Sequence, residues 1–230
     1  MAHDPADSRP RYAEPVSGPD GGAGDARLTA PAASRNSADI AAALARLLAD
    51  ERGPVMEIGA GTGQHALACA RALPRLTWIP TDPDPLHVAS IEAWRAAEGP
   101  ENLASPLSVN ADAGSGADWA AAARLTHGPL RAVFCANVIH IAPWSVAEGL
   151  VAGAAAALGA GGRLILYGPF YEKGEAVRSN RDFDETLRGR DPAWGVRNLE
   201  DVAALASDHG FGAPRRVELP ANNLILAFPR

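Results

Sequence analysis

Cysteine is scarce in this chain: only Cys69 and Cys135 occur, both in apolar surroundings. That excludes a disulfide framework and reads as buried thiols in a reducing compartment. No apolar run reaches the roughly 18–20 residues that a membrane span needs. The N-terminus also lacks the apolar core of a signal peptide. A cytoplasmic protein with no membrane partner is therefore expected. Basic residues are outnumbered, with a formal net charge of -6 and a pI near 5.5. No basic face of the kind that tracks a phosphate backbone is present, so no nucleic-acid partner is expected. His65, His87, His127 and His140 have no ligand spacing and no Cys–His cluster exists, which argues against a metal site. A Ser–His–Asp hydrolase would need a G-x-S-x-G elbow, and there is none. The chain has no internal repeat and no signal for an oligomeric state.

What is present suits one domain with a full core. The chain has 230 residues, of which 47% are hydrophobic and 21% charged, as in ordinary soluble domains. Residues 1–27 are rich in Pro, Gly, Ser and Asp and have no hydrophobic period. Such a segment cannot bury enough apolar surface to offset its ordering entropy, so a disordered tail is expected there and a single domain over residues 28–230. Asn36 followed by Asp39 resembles a helix N-cap with its capping-box acid, and Ile40, Leu44, Leu47 and Leu48 follow at helical spacing. An apolar strand over 54–58, a helix over 63–73 and a strand over 76–81 come next. Asp84 is placed to cap a helix with Pro85 at its first position.

A strand around 103–109 contains Pro106, which lacks a ladder donor and belongs at a sheet edge. A short helix near 119–125 precedes a continuously apolar strand over 131–136. An Ala-rich helix over 144–158 then leads to a strand over 163–167. Two further helices are expected to be capped by Ser179 and Asn198. Strand and helix alternate throughout, which implies an α/β, doubly wound, Rossmann-like parallel sheet. Two closing strands over 216–219 and 224–228 are joined too tightly to be parallel neighbours, so the last must run antiparallel.

The most informative stretch is Glu57-Ile58-Gly59-Ala60-Gly61-Thr62-Gly63-Gln64-His65. An apolar strand ends in an acid, a glycine turn follows, and an Ala/Leu-rich helix opens. Gly59, Gly61 and Gly63 permit a tight turn and the close approach of a ligand, and the helix start aims its free N–H groups at it. Asp82, just over 20 residues on at the end of the next strand, suits ribose hydroxyls. This is a cradle for an adenosine-containing molecule. The glycine spacing is not the G-x-G-x-x-G of the dinucleotide fingerprint. Glu57 would welcome a cationic amino group and repel a pyrophosphate. Asp112, after the edge strand, either accepts from an adenine amino group or caps its own loop.

The chain resembles class I S-adenosylmethionine-dependent methyltransferases, and more narrowly the domain-of-unknown-function 938 family with its methyltransferase-like 26 proteins. The resemblance runs from Ala30 to the C-terminus. It rests on Ala30-Pro31-Ala32-Ala33-Ser34-Arg35-Asn36, the glycine stretch and Asp82-Pro83-Asp84. It continues through Asn137-Val138-Ile139-His140-Ile141-Ala142-Pro143-Trp144, Tyr167-Gly168-Pro169-Phe170, Ser179-Asn180 and Phe183-Asp184. Arg190-Asp191-Pro192-Ala193-Trp194-Gly195-Val196-Arg197 and Pro220-Ala221-Asn222-Asn223-Leu224 complete it. It implies a seven-stranded sheet of order 3-2-1-4-5-7-6 with strand 7 antiparallel. It implies S-adenosylmethionine as cofactor, with the Gly59 turn, Asp82 and Asp112 holding methionine, ribose and adenine. Asn36, His65, Pro83, Ala113 and Asn137 are the further cofactor contacts it suggests.

Methyl transfer needs the acceptor held close, aligned and desolvated, and a base only if the acceptor arrives protonated. On the rim above the central strands, His140 is the candidate base or orienting group, being able to take a proton near neutral pH. Its alternative is a histidine tied to backbone at a strand end. Arg35, Trp144, Tyr167, Tyr171 and Asn180 are the candidate acceptor contacts. The acidic charge balance favours a small-molecule acceptor, and a protein acceptor stays open. Two rivals remain: an NAD(P)-dependent oxidoreductase, and a silent S-adenosylmethionine-binding module that acts through partners.

Overall fold

Alternating apolar runs and helical stripes build one sheet covered on both faces. The computed structural model describes residues 26–113 and 116–230. The expected tail, residues 1–27, falls almost wholly outside the described residues. In chain order the elements begin with α1 (Pro31–Leu47), β1 (Gly53–Ile58), α2 (Gln64–Ala72), β2 (Leu76–Thr81), α3 (Pro85–Glu98) and α4 (Gly116–His127). They continue with β3 (Leu130–Ala136), α5 (Trp144–Ala157), β4 (Leu158–Gly168), β5 (Phe170–Tyr171) and α6 (Arg178–Arg190). The chain closes with β6 (Arg197–Asn198), α7 (Leu199–Asp208), β7 (Arg215–Leu219) and β8 (Asn223–Pro229).

The main sheet has six strands in the order β2-β1-β3-β4-β8-β7. β1 pairs parallel with β2 and β3, and β3 with β4. β8 runs antiparallel to both β4 and β7, as the short closing link required. Side chains alternate along each strand. Met56, Val133, Cys135, Leu164 and Leu166 pack with α4, α5 and α7. Val55, Ala132, Phe134, Ile165 and Tyr167 pack with α1 and α2 on the other face. Two covered faces explain why these strands are apolar throughout.

The structure corrects three expectations. The edge strand around Pro106 does not form; only isolated parallel bridges, Trp78 to Leu103 and Thr81 to Leu107, mark its path. Pro106 lies between them without an N–H, so no continuous ladder closes and the sheet has six strands, not seven. The first helix begins at Pro31 with Ala30 as N-cap, so Asn36 lies inside it and caps nothing. Ser179 likewise sits within α6, which starts after Val177 without a side-chain cap. Asp84 does cap α3, its carboxylate accepting from Leu86 N at 2.8 Å with Pro85 following.

Candidate active site

The glycine turn lies at the C-terminal end of β1, where open α/β sheets bind ligands. Gly59, Gly61 and Gly63 all have positive φ, at 69°, 58° and 91°. At Gly59 a Cβ would come within 2.4 Å of Val138 Cγ2, so a close approach demands glycine. Gly61 differs: a Cβ there would meet nothing within 4 Å. The turn is therefore open at Gly61. α2 begins directly after Gly63 and no side chain caps it, which leaves its first N–H groups for a ligand.

Two carboxylates flank this turn. Glu57 is wholly buried. Its Oε2 accepts from Trp78 Nε1 at 2.7 Å, whereas Oε1 has no hydrogen-bond partner among the described residues. Desolvation, together with the nearby Asp82 charge, raises its pKa from 4.5 to about 7 against the pull of the Trp78 bond. A buried acceptor left unpaired is costly, and Glu57 stands two residues before the first glycine of the turn. Asp82 accepts from Gly61 N at 2.8 Å and Asp84 N at 3.0 Å, with His87 Nδ1 at 3.1 Å. It ties the turn to the end of β2, with Pro83 beside it.

Asp112 and Ala113 lie between the 103–109 segment and α4, against the start of α5. Ser145 Oγ donates to Asp112 Oδ2 at 2.7 Å, and Ala113 N donates to Ser145 O at 3.1 Å. α5 comes this close because Gly149 carries no side chain; a Cβ would lie 2.2 Å from Ala111 O. Ser145 and Gly149 were not candidates from sequence, since their role appears only when α5 meets this loop.

Beyond the turn, α1, the end of β4, α6 and the β7–β8 hairpin line an open cavity of about 440 Å³. Arg35, Asn36, Asn137, Tyr167 and Asn180 all line it, which brings five sequence candidates together. Asp39, Phe183, Pro220 and Asn223 also line it and were missed. Asn137 holds a left-handed conformation (φ 62°), one that Asn tolerates better than most residues, and turns the chain out of β3. Asn36 links the cavity to the glycine turn: His65 Nε2 lies 2.8 Å from its Oδ1, and its Nδ2 donates to the Tyr167 hydroxyl at 3.2 Å. A smaller cavity of about 190 Å³, lined by Leu48, Glu51 and Leu73, sits where β1 and β2 begin. It is remote from the turn and carries no chemistry.

His140, Trp144 and Tyr171 are not in the cavity's lining. His140 is fully buried and packs edge-on against Phe170 at 5.1 Å. Its Nδ1 accepts from Arg197 N at 3.3 Å, and its carbonyl accepts from Gly195 N. Desolvation, then the Arg197 charge, lowers its pKa to about 3. That arrangement fits the alternative of a histidine tied to backbone at a strand end, because a base must reach the proton it takes. Trp144 lies under the Arg197 guanidinium, 5.7 Å from its ring centroid, and the Tyr171 hydroxyl lies 3.4 Å from Asp184 Oδ2. Both aromatic residues support the 193–197 segment.

A Rossmann-like sheet with an antiparallel closing strand and a glycine turn above β1 is a fold that this chain shares with solved methyltransferases. The chain matches the family described as protein of unknown function DUF938 over residues 27–230, and it belongs to that family. Solved structures bear out the fold. An O-methyltransferase family protein from Burkholderia thailandensis aligns with a TM-score of 0.66 and 17% identity, over 86% of this chain and 56% of that one. Magnesium protoporphyrin IX methyltransferase from Synechocystis PCC 6803, solved with bound SAH, aligns with a TM-score of 0.61 and 18% identity. That match spans 86% of this chain and 84% of that one. The chain thus spans little more than half the length of the Burkholderia protein and most of the Synechocystis one.

Proposed function

We propose that this protein is an S-adenosylmethionine-dependent methyltransferase of the methyltransferase-like 26 type that acts on a small molecule in the cytoplasm. The observation that carries the reading is Glu57: a buried carboxylate oxygen without a partner, at the strand end beside an open glycine turn. A cationic amino group would satisfy it, and a pyrophosphate would not. Glu57 would hold the methionine amino group and the uncapped start of α2 the carboxylate. Asp82 would hold the ribose, beside Pro83, and Asp112 with Ala113 the adenine edge. When bound, the sulfonium supplies a methyl group that is already activated.

The chain's own residues then have to align the acceptor and exclude water. The cavity beside Asn36, Asn137 and Tyr167 suits that task, because it is walled by α1 and α6 and joined to the turn through Asn36. His140 is buried and electrically neutral at ordinary pH, and among the described residues no histidine lines this cavity. Proximity and orientation are the dominant contributions, and acceptors that are already nucleophilic when neutral suit the site best. Incubation with methyl-labelled S-adenosylmethionine and fractionated small-molecule extracts tests the reading. Label should move into a low-molecular-weight product; label that moves only into protein, or not at all, would overturn it.

A further inference from the structure

The Tyr167 hydroxyl and the Arg35 guanidinium line the same 440 Å³ cavity as the side-chain amides of Asn180 and Asn223, with the Asp39 carboxylate also on the α1 side. On the α1 side, His65 Nε2 meets Asn36 Oδ1. An amide oxygen only accepts, so His65 carries its proton on Nε2. Asn36 Nδ2 in turn donates to the Tyr167 oxygen. The chain of bonds therefore runs one way, from His65 through Asn36 to Tyr167. The hydroxyl hydrogen of Tyr167 is left with no acceptor among the described residues. Burial lowers the His65 pKa to about 4 and raises that of Tyr167, so the first stays neutral and the second keeps its proton. Arg35, on the same side, makes no ion pair among the described residues.

The α6 and hairpin side offers the reverse polarity. Asn180 Nδ2 donates to Asn222 O at 3.1 Å, and Asn223 Nδ2 donates to Pro220 O at 3.1 Å. Both amide nitrogens bond the hairpin turn, whose Ala221 and Asn222 hold positive φ of 58° and 57°, and neither amide oxygen has a hydrogen-bond partner among the described residues. Each amide is left with its oxygen to offer. Phe183 and Pro220 supply apolar wall between the two sides.

We propose that the methyl acceptor is a small two-ended molecule, with a carboxylate or carbonyl oxygen received by Tyr167 and Arg35 and an N–H or O–H group received by the amide oxygens of Asn180 and Asn223. The proposal rests on reading this cavity as the acceptor site. Asn36 and His65 are positioning residues, because they act through Tyr167.

The intact protein, with and without SAH, is titrated with para-hydroxybenzoate and para-aminobenzoate, and with benzoate and phenol as one-ended controls. The two-ended probes should bind roughly tenfold tighter than either control, as one further satisfied hydrogen bond to a charged or polar group allows. Tyr167→Phe should remove most of that advantage and leave SAH affinity within about twofold. Side-chain nitrogen NMR should show His65 protonated on Nε2. Equal binding of all four probes, an unchanged order in Tyr167→Phe, or a His65 proton on Nδ1 would each overturn the proposal. If the probes keep this order but SAH does not bind, the methyltransferase reading falls and the two-ended cavity stands. If SAH binds and the probes are not sorted, only this proposal falls.

Discussion

Replacing Glu57 by Gln should make the ligand-free protein more stable and the cofactor site worse. The carboxyl is wholly buried, and its pKa rises from 4.5 to about 7. An acid whose folded pKa is raised holds its proton longer when folded than when unfolded, so its contribution to stability declines as pH climbs from 4.5 to about 7. Above that window the full penalty of the buried charge applies, about 3 kcal/mol. Gln keeps an acceptor for Trp78 Nε1 and removes the charge, but it places an unpaired NH₂ where Oε1 was. That unpaired group costs about 1–2 kcal/mol. The net expectation at about pH 8 is a gain of about 1–2 kcal/mol, or roughly 2–8 °C in Tm for a chain of this size. At about pH 5, where Glu57 is mostly protonated, Gln should bring no gain. SAH affinity should fall by about tenfold or more, because the amide cannot pair with an ammonium group. In the wild type, SAH binding near neutral pH should release part of a proton, visible as buffer-dependent heats in calorimetry. Denaturant unfolding at both pH values with SAH titration is the assay. A Gln variant less stable than wild type at about pH 8, or one that binds SAH equally well, would refute the reasoning.

Other outcomes follow from the same geometry. Gly149→Ala should cost about 1–3 kcal/mol and weaken SAH binding, since its Cβ must displace the Ala111–Ala113 backbone from α5; chemical unfolding and calorimetry check both. His140 and His65 both have lowered pKa values, about 3 and about 4, and stay neutral when folded. Stability should therefore drop as pH falls from 6.5 toward 4, where the unfolded chain takes up protons and the folded one does not. His65→Gln should flatten that slope in urea titrations at stepped pH. Neither histidine should add a bell-shaped limb near pH 6.5 to a methyl-transfer rate profile.

Much of the frame was legible in the chain because local chemistry spells it out. Asp84 and Pro85 mark a helix start by their own hydrogen bonding and fixed φ. The closing strands had to be antiparallel because their link is short. Glu57, the glycines and Asp82 are near one another in sequence and adjacent across β1 and β2, so their convergence was readable too. The start of α1 was misplaced because Asn36 looks like a cap, whereas its side chain is engaged by His65 and Tyr167, partners 29 and 131 residues away. Asp39, Phe183, Pro220 and Asn223 were missed for a similar reason: the cavity is assembled from α1, α6 and the last hairpin. His140 shows the converse. Its place at a strand end suggested the rim, and only the packing of Phe170 and Arg197 around it reveals a buried ring.

The central claim, that the glycine turn and its carboxylates hold a sulfonium-type adenosine ligand, is tested most directly by thermal unfolding with SAH and with NAD. At about a hundred times its dissociation constant, SAH should stabilise the native state by about 2.7 kcal/mol, a rise of roughly 5–11 °C, while NAD leaves Tm unchanged. Stabilisation by NAD with none by SAH would contradict the account.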